Sequence, residues 1–133
     1  MDTSLSKTSK PMLWAGRALS AVVVLFLLMD AVMKVLALPI VTATGAQLGW
    51  PADSARTLGF ILLASTVLYV IPRTSVLGAI LLTGYLGGAV ATHMRVGSPL
   101  LTHILFGVYL AIMAWGGLYL RNPRLWALIP LQR

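Results

Sequence analysis

The chain has 133 residues, of which 59% are hydrophobic and only 10% charged, far below the roughly 25% charged share of soluble domains. A mean hydropathy of +0.91 agrees with that, and the length predicts one domain of helices, at about 20 residues per span of a hydrocarbon core about 30 Å thick, without a separate soluble catalytic domain. The formal charge of +7 comes from Lys and Arg scattered at the ends of apolar runs, which suits anionic lipid headgroups and argues against a nucleic-acid partner, while the absence of cysteine excludes disulfides, thiolate metal sites and Cys-x-x-Cys redox chemistry.

Residues 1–12 are polar and carry Lys7 and Lys10 among Ser and Thr, which predicts a disordered basic tail. A transmembrane domain is expected over residues 13–121, with spans at about 13–36, 52–71, 74–93 and 100–120, and a short basic tail over 122–133. The first span begins like a secretory signal, but its apolar character continues past Asp30 with no small-x-small cleavage site, so a retained signal anchor is expected. Residues 37–50 form a connection with Pro39, Gly45 and Gly49 as breakers and Trp50 suited to the interface. Pro51 then fits the first helical position of the second span, with Asp53 in its first turn, where the helix dipole favours an anion. Pro72 closes this span, and the short Met94–Pro99 link makes the last two spans antiparallel neighbours.

The fold class expected is therefore all-α, a four-helix transmembrane bundle with both termini cytoplasmic. The orientation follows from the flanking cations. With the N-terminus inside, the inner flanks hold Lys7, Lys10, Arg17, Arg73, Arg121, Arg124 and Arg133, against Lys34, Arg56 and Arg95 outside. Lipid offers no hydrophobic drive for helix association, so small residues should mediate close contact. Gly84, Gly88 and Ala91 on the third span and Gly107 with Ala111 on the fourth are the candidates, for packing inside the bundle or for a homodimer contact.

A charge at the middle of a membrane helix costs roughly 2.5–3.5 kcal/mol, so each one calls for a partner. Counted at about 1.5 Å per residue from Arg17, Asp30 lies about 10 Å below the outer surface, and Lys34 follows one turn later on the same face. The same arithmetic puts His93 and His103 level with Lys34, Tyr85 nearer the midplane, and Arg95 with Arg56 on the outer rim. Asp30, Lys34, Tyr85, His93, Arg95 and His103 thus converge on one end as an outward-facing polar pocket, and the opposite end holds only interfacial Arg. The alternatives are that Asp30 and Lys34 neutralise each other with Lys34 snorkelling outward, and that the histidines are ordinary interfacial residues paired with Thr92, Thr102 or water. Asp30, His93 and His103 are the right ligand types for a metal, but no spacing motif supports one, and no metal site is assigned.

Residues 67–95, VLYVIPRTSVLGAILLTGYLGGAVATHMR, together with GSPLLTHILFGVY at 97–109 and LGWP at 48–51, resemble the DoxX-like family of small bacterial integral membrane proteins. The likeness covers nearly the whole chain after residue 12. It implies a four-helix bundle in the bacterial inner membrane, in a family named after a subunit associated with a thiosulfate:quinone oxidoreductase and linked with membrane redox or stress systems; it carries no catalytic residue onto this chain. The function expected is a non-catalytic binding or accessory subunit whose pocket takes a small amphiphile such as a quinone. The alternatives are a structural or assembly subunit, with a membrane-protein partner or a second copy beside the lipid bilayer, and, last, an oxidoreductase component using His and Asp as acid and base.

Overall fold

A computed structural model of the chain describes residues 10–51 and 53–127, all of its regular elements helical. Helix α1 (Lys10–Val35) is followed by a short α2 (Pro39–Gln47), then α3 (Ser54–Val70), α4 (Ser75–Arg95) and α5 (Phe106–Arg121). Tight turns at Pro72–Thr74 and Pro123–Ala127 and a wider π-type turn at Leu100–Ile104 complete the order. Three segments, Lys10–Val35, Pro72–Arg95 and Leu100–Arg121, are long and apolar enough to cross a membrane; α3, with 17 residues, spans only about 26 Å as a regular helix.

The four long helices close a ring in which α1 packs on α3 and α5, and α4 packs on the other side of the same two. On α1 the buried positions are Gly16, Ser20, Val23, Leu27 and Ala31, steps of three and four that place them in one stripe. Leu62 and Tyr69 of α3, Leu82 and Leu86 of α4, and Leu110, Ala114 and Leu118 of α5 meet that stripe. The opposite faces remain apolar: Trp14, Val22, Leu25, Phe60, Val67, Leu77, Ile80 and Ile112 are all exposed. Apolar residues on both the inside and the outside are the mark of a bundle solvated by lipid. Hydroxyls within the helices are absorbed locally, Ser65, Thr66, Thr83 and Thr92 each donating to the carbonyl four residues earlier.

Glycine sets the closest helix approaches, but not at the positions expected. A Cβ on Gly117 would lie 2.5 Å from Ser20 Oγ and 3.0 Å from the Gly16 carbonyl, so α5 and α1 touch backbone to backbone there. Gly107 comes 3.0 Å from the Leu86 carbonyl by the same measure, and Ala111 packs against the core. Gly84 and Gly88 make no such contact inside the bundle: nothing stands within 4 Å of a Cβ on either, and Ala91 is exposed. Their face of α4 borders open space because α3 and α4 are pinned together at the other end, where Gly78 abuts the Tyr69 backbone and Thr74 and Ser75 hydroxyls bind the Leu68 and Tyr69 carbonyls.

Three further expectations are corrected. Lys10–Met12 are helical, while residues 1–9 and 128–133 of the expected tails lie outside the described residues. The connection over 37–50 contains α2, since Pro39 fits a first helical turn and Gly45 sits inside the helix. Pro51 does not open α3, which starts at Ser54 after an Asp53 whose side chain caps nothing.

Three helices end with the same device at the same end of the molecule. The Leu38 amide binds the Met33 carbonyl and the Ala37 amide the Lys34 carbonyl. Trp50 with Gly45 and Gly49 with Ala46 repeat the pattern, as do Ser98 with His93 and Gly97 with Met94. These are Schellman closures, whose pivot residue needs a left-handed backbone. Gly49 (φ 87°) and Gly97 (φ 75°) supply it freely, and Ala37 (φ 52°) does so against its Cβ.

Candidate functional site

The end of the bundle carrying these closures encloses a cavity of about 690 Å³, within the usual size of a small-molecule site. Its walls are the last turns of α1, the first half of α3 and the last half of α4, and it is roofed by Ile40, Val41, Thr44 and Gly45 of α2 with Leu48 just after that helix. Most of the lining is apolar; Asp30, Lys34, Tyr85 and His93 bring the ionisable groups.

Lys34 is the centre of the polar part. It stands in the last turn of α1, one turn after Asp30, where a cation also answers the helix dipole. Its Nζ donates to Asp30 Oδ2 at 3.0 Å and to the Tyr85 hydroxyl at 2.6 Å, with the ammonium 5.1 Å from the Tyr85 ring centre. The stem of Lys34 is steered by α3: a Cβ on Gly59 would fall 2.8 Å from Lys34 Cβ and 2.7 Å from the Val35 amide nitrogen. One turn nearer the roof, Arg56 Nε donates to the Val35 carbonyl at 3.1 Å and closes the end of α1. Lys34 therefore reaches inward to α4 instead of snorkelling outward, because α3 blocks its other course and Tyr85 offers an acceptor.

The six residues expected to converge are separated by the structure into two groups. Asp30, Lys34, Tyr85 and His93 line the cavity, while Arg95 and His103 do not. His93 Nδ1 pairs with Ser98 Oγ at 3.0 Å, and its ring meets that of His103 edge-on with centroids 5.7 Å apart. His103 Nδ1 pairs with Thr102 Oγ1 at 2.8 Å, on an exposed, widened π-type turn at Leu100–Ile104 that carries it out of the wall. Arg95 instead donates to the Leu48 carbonyl at 2.8 Å and lies against Gly49, tying the end of α4 to the end of α2. Among the described residues no three His, Asp or Glu side chains gather as a metal site.

Sequence reasoning missed the α2 roof and the lining role of Leu48 and Trp50 just after it, because β-branched residues and Gly45 disguise a nine-residue helix. It also missed a second polar network at the opposite end, which joins three helices. Tyr69, fully buried, donates to the Ala114 carbonyl at 2.5 Å. Ser20 Oγ, 2.9 Å from the Tyr69 oxygen, then donates to it and accepts from Arg121 Nε at 3.0 Å. That Ser20 and Tyr69 interrupt otherwise apolar stretches was the available signal.

In comparison with known proteins, a sequence model of the DoxX-like family fits residues 18–117, well over half of the chain. No curated protein and no solved structure matches.

Proposed function

Since the chain belongs to the DoxX-like family, we propose that it is a four-span bacterial inner-membrane protein with both termini cytoplasmic, acting as a non-catalytic binding or accessory subunit that holds a small amphiphile in its outward-facing cavity. The observation carrying this is the Asp30–Lys34–Tyr85 constellation inside an otherwise apolar chamber of about 690 Å³. Such a chamber holds an aliphatic or aromatic body by contact and fixes its polar head by a few placed groups. A quinone meets both demands, with carbonyl oxygens for the donors and a ring for the apolar wall, and it would connect the protein with membrane redox or stress systems.

Membership of a membrane family and three helices apolar enough to span place the protein in contact with lipid. A fourth crossing by α3 is supported by its packing between α1 and α4 and by its flanks: residues 53–74 together approach the length of a bilayer core. The excess of Lys and Arg on one set of flanks supports the orientation.

Thermal unfolding of purified protein with a panel of quinones, in wild type and Asp30→Ala, tests the reading. A ligand-dependent rise in wild type that Asp30→Ala weakens is expected, and no shift in either discards it. One observation favours a second reading, an assembly subunit: an almost wholly apolar groove of about 310 Å³ runs between α4 and α5 past Gly87, Gly107 and Trp115, where a partner's membrane helix could seat. On that reading Asp30→Asn lowers stability without changing any ligand response, and finding the protein alone in native membranes counts against it.

A further inference from the structure

The geometry points to a definite class of occupant for the cavity, a lipid-dissolved, uncharged, single-chain amphiphile whose hydrogen-bond-accepting head takes the Tyr85 proton and whose tail leaves sideways between α3 and α4, past Gly84 and Gly88. This rests on the binding reading above and narrows it.

The charge follows from pairing. Asp30 and Lys34 are the charged side chains on the cavity wall, and they already neutralise each other at 3.0 Å. An anionic head brought to Lys34 comes up against Asp30, and a cationic head brought to Asp30 comes up against Lys34. Either would lose its hydration without gaining a counter-charge of its own, which is costly in an apolar chamber. An uncharged head avoids that cost.

The accepting character follows from the donors. An ammonium has three N–H groups and a phenol one O–H. Lys34 uses two of its own on Asp30 and Tyr85, and the Tyr85 oxygen is the acceptor in that contact. Its own proton must therefore point elsewhere, and among the described residues no acceptor receives it. A half-buried hydroxyl in that state is satisfied by an ester, ketone or ether oxygen in the cavity, and an aliphatic group placed there would leave it unmet.

The path of the tail follows from the gap in the wall. Gly84, Gly88 and Ile61 line the cavity and are exposed. Gly84 and Gly88 lie one turn apart on one face of α4, with nothing within 4 Å of a Cβ at either. Ile61 is eight residues, about 12 Å, along α3 from Asp53, so the gap opens at hydrocarbon depth, not at the headgroups. A ligand arriving this way comes from the bilayer.

The test uses the full chain in nanodiscs of a diether phosphatidylcholine, a two-chain lipid with a charged head that lies outside the proposed class, with methyl octadecanoate, octadecyl sulfate and octadecyltrimethylammonium added at the same low mole fraction. Gly88→Leu serves as the blank, since it fills the gap without changing surface charge, and Gly84→Leu replaces it should its unfolding without probe prove abnormal. The methyl ester is expected to raise the wild-type unfolding midpoint by several degrees over the blank. Tyr85→Phe should lose most of that rise, and the two charged probes should shift wild type no more than the blank. Equal responses to all three heads overturn the head assignment while leaving binding intact. An undiminished ester response in both leucine variants overturns the tail path. No response to the methyl ester, where a quinone lacking any tail does respond, overturns the proposed class alone; silence of quinones and probes together removes the binding reading as well.

Discussion

The Lys34 ammonium of α1 lies 2.6 Å from the Tyr85 hydroxyl of α4, while its other bond holds Asp30 one turn back on its own helix. Two helices that do not pack as ring neighbours are thereby joined through a single cation. The contact gives Lys34 a role beyond neutralising Asp30, and it fixes the depth at which the polar part of the cavity lies.

Removing one member of this pair should hurt more than removing both. Lys34→Met leaves Asp30 as a lone carboxylate in an apolar chamber. Breaking a fully buried pair costs about 3–5 kcal/mol, and because these side chains keep 22% and 32% of their exposure a loss of about 1–2 kcal/mol is expected. The double variant Asp30→Asn with Lys34→Met should recover most of that loss. Reversible unfolding in mixed micelles measures both, and a double variant no better than Lys34→Met alone would show that the two residues are not coupled.

The glycines divide by what a methyl group would meet. Gly88→Ala adds a Cβ with no neighbour within 4 Å and removes a poor helix former, so stability should hold or rise by up to about 1 kcal/mol. Gly117→Ala drives a Cβ to 2.5 Å from Ser20 Oγ and should cost about 1–3 kcal/mol through separation of α5 from α1. Unfolding midpoints of the two variants in one detergent check the contrast; equal effects would mean that the α3–α4 gap closes in solution.

The all-helical class and the presence of helices apolar enough to span were legible because unbroken apolar runs between cations and prolines admit few other folds. Asp30 and Lys34 were legible as a pair because i and i+4 share a helix face. Tyr85 was legible only as a depth; its contact with Lys34 depends on Gly59, which lets α3 press on the lysine stem, and no local pattern encodes that approach. Arg95 and His103 were placed at the right end and still miss the cavity. Depth along a helix axis says nothing about rotation, and the widened turn at Leu100–Ile104 resets rotation just before α5. Gly84 and Gly88 misled for a related reason, since a small-xxx-small pair marks a smooth face whether a helix or open space lies against it.

The network at the other end should respond to loss of one hydroxyl. Tyr69→Phe keeps the ring in its fully buried slot but deletes the bond to the Ala114 carbonyl and leaves Ser20 without its acceptor. A loss of about 1–2 kcal/mol is expected, one unsatisfied hydroxyl being worth that much. Ser20→Ala combined with Tyr69→Phe should cost less than the sum of the two single changes, since the serine has by then lost the Tyr69 acceptor and only the bond it accepts from Arg121 is left to remove. Additive losses in a double-mutant cycle would show the two bonds to be independent.

Ala37 offers a gain of stability. It is the pivot of the closure that ends α1, held at φ 52° by the Leu38–Met33 and Ala37–Lys34 backbone bonds. An L-residue in that conformation has its Cβ against the following carbonyl and is disfavoured by roughly 1–2 kcal/mol, whereas glycine adopts it without strain. Glycine also gives up more freedom on folding, which returns roughly 0.5–1 kcal/mol of that. Ala37→Gly should therefore stabilise the protein by about 0.5–1 kcal/mol. Gly97→Ala, the reverse change at the matching closure of α4, where φ is 75° and nothing lies within 4 Å of the new Cβ, should destabilise by a similar amount through backbone strain alone. Opposite signs for the two substitutions in one unfolding assay would support the strain account. A loss in both would mean that the Ala37 side chain contributes packing that outweighs its backbone cost.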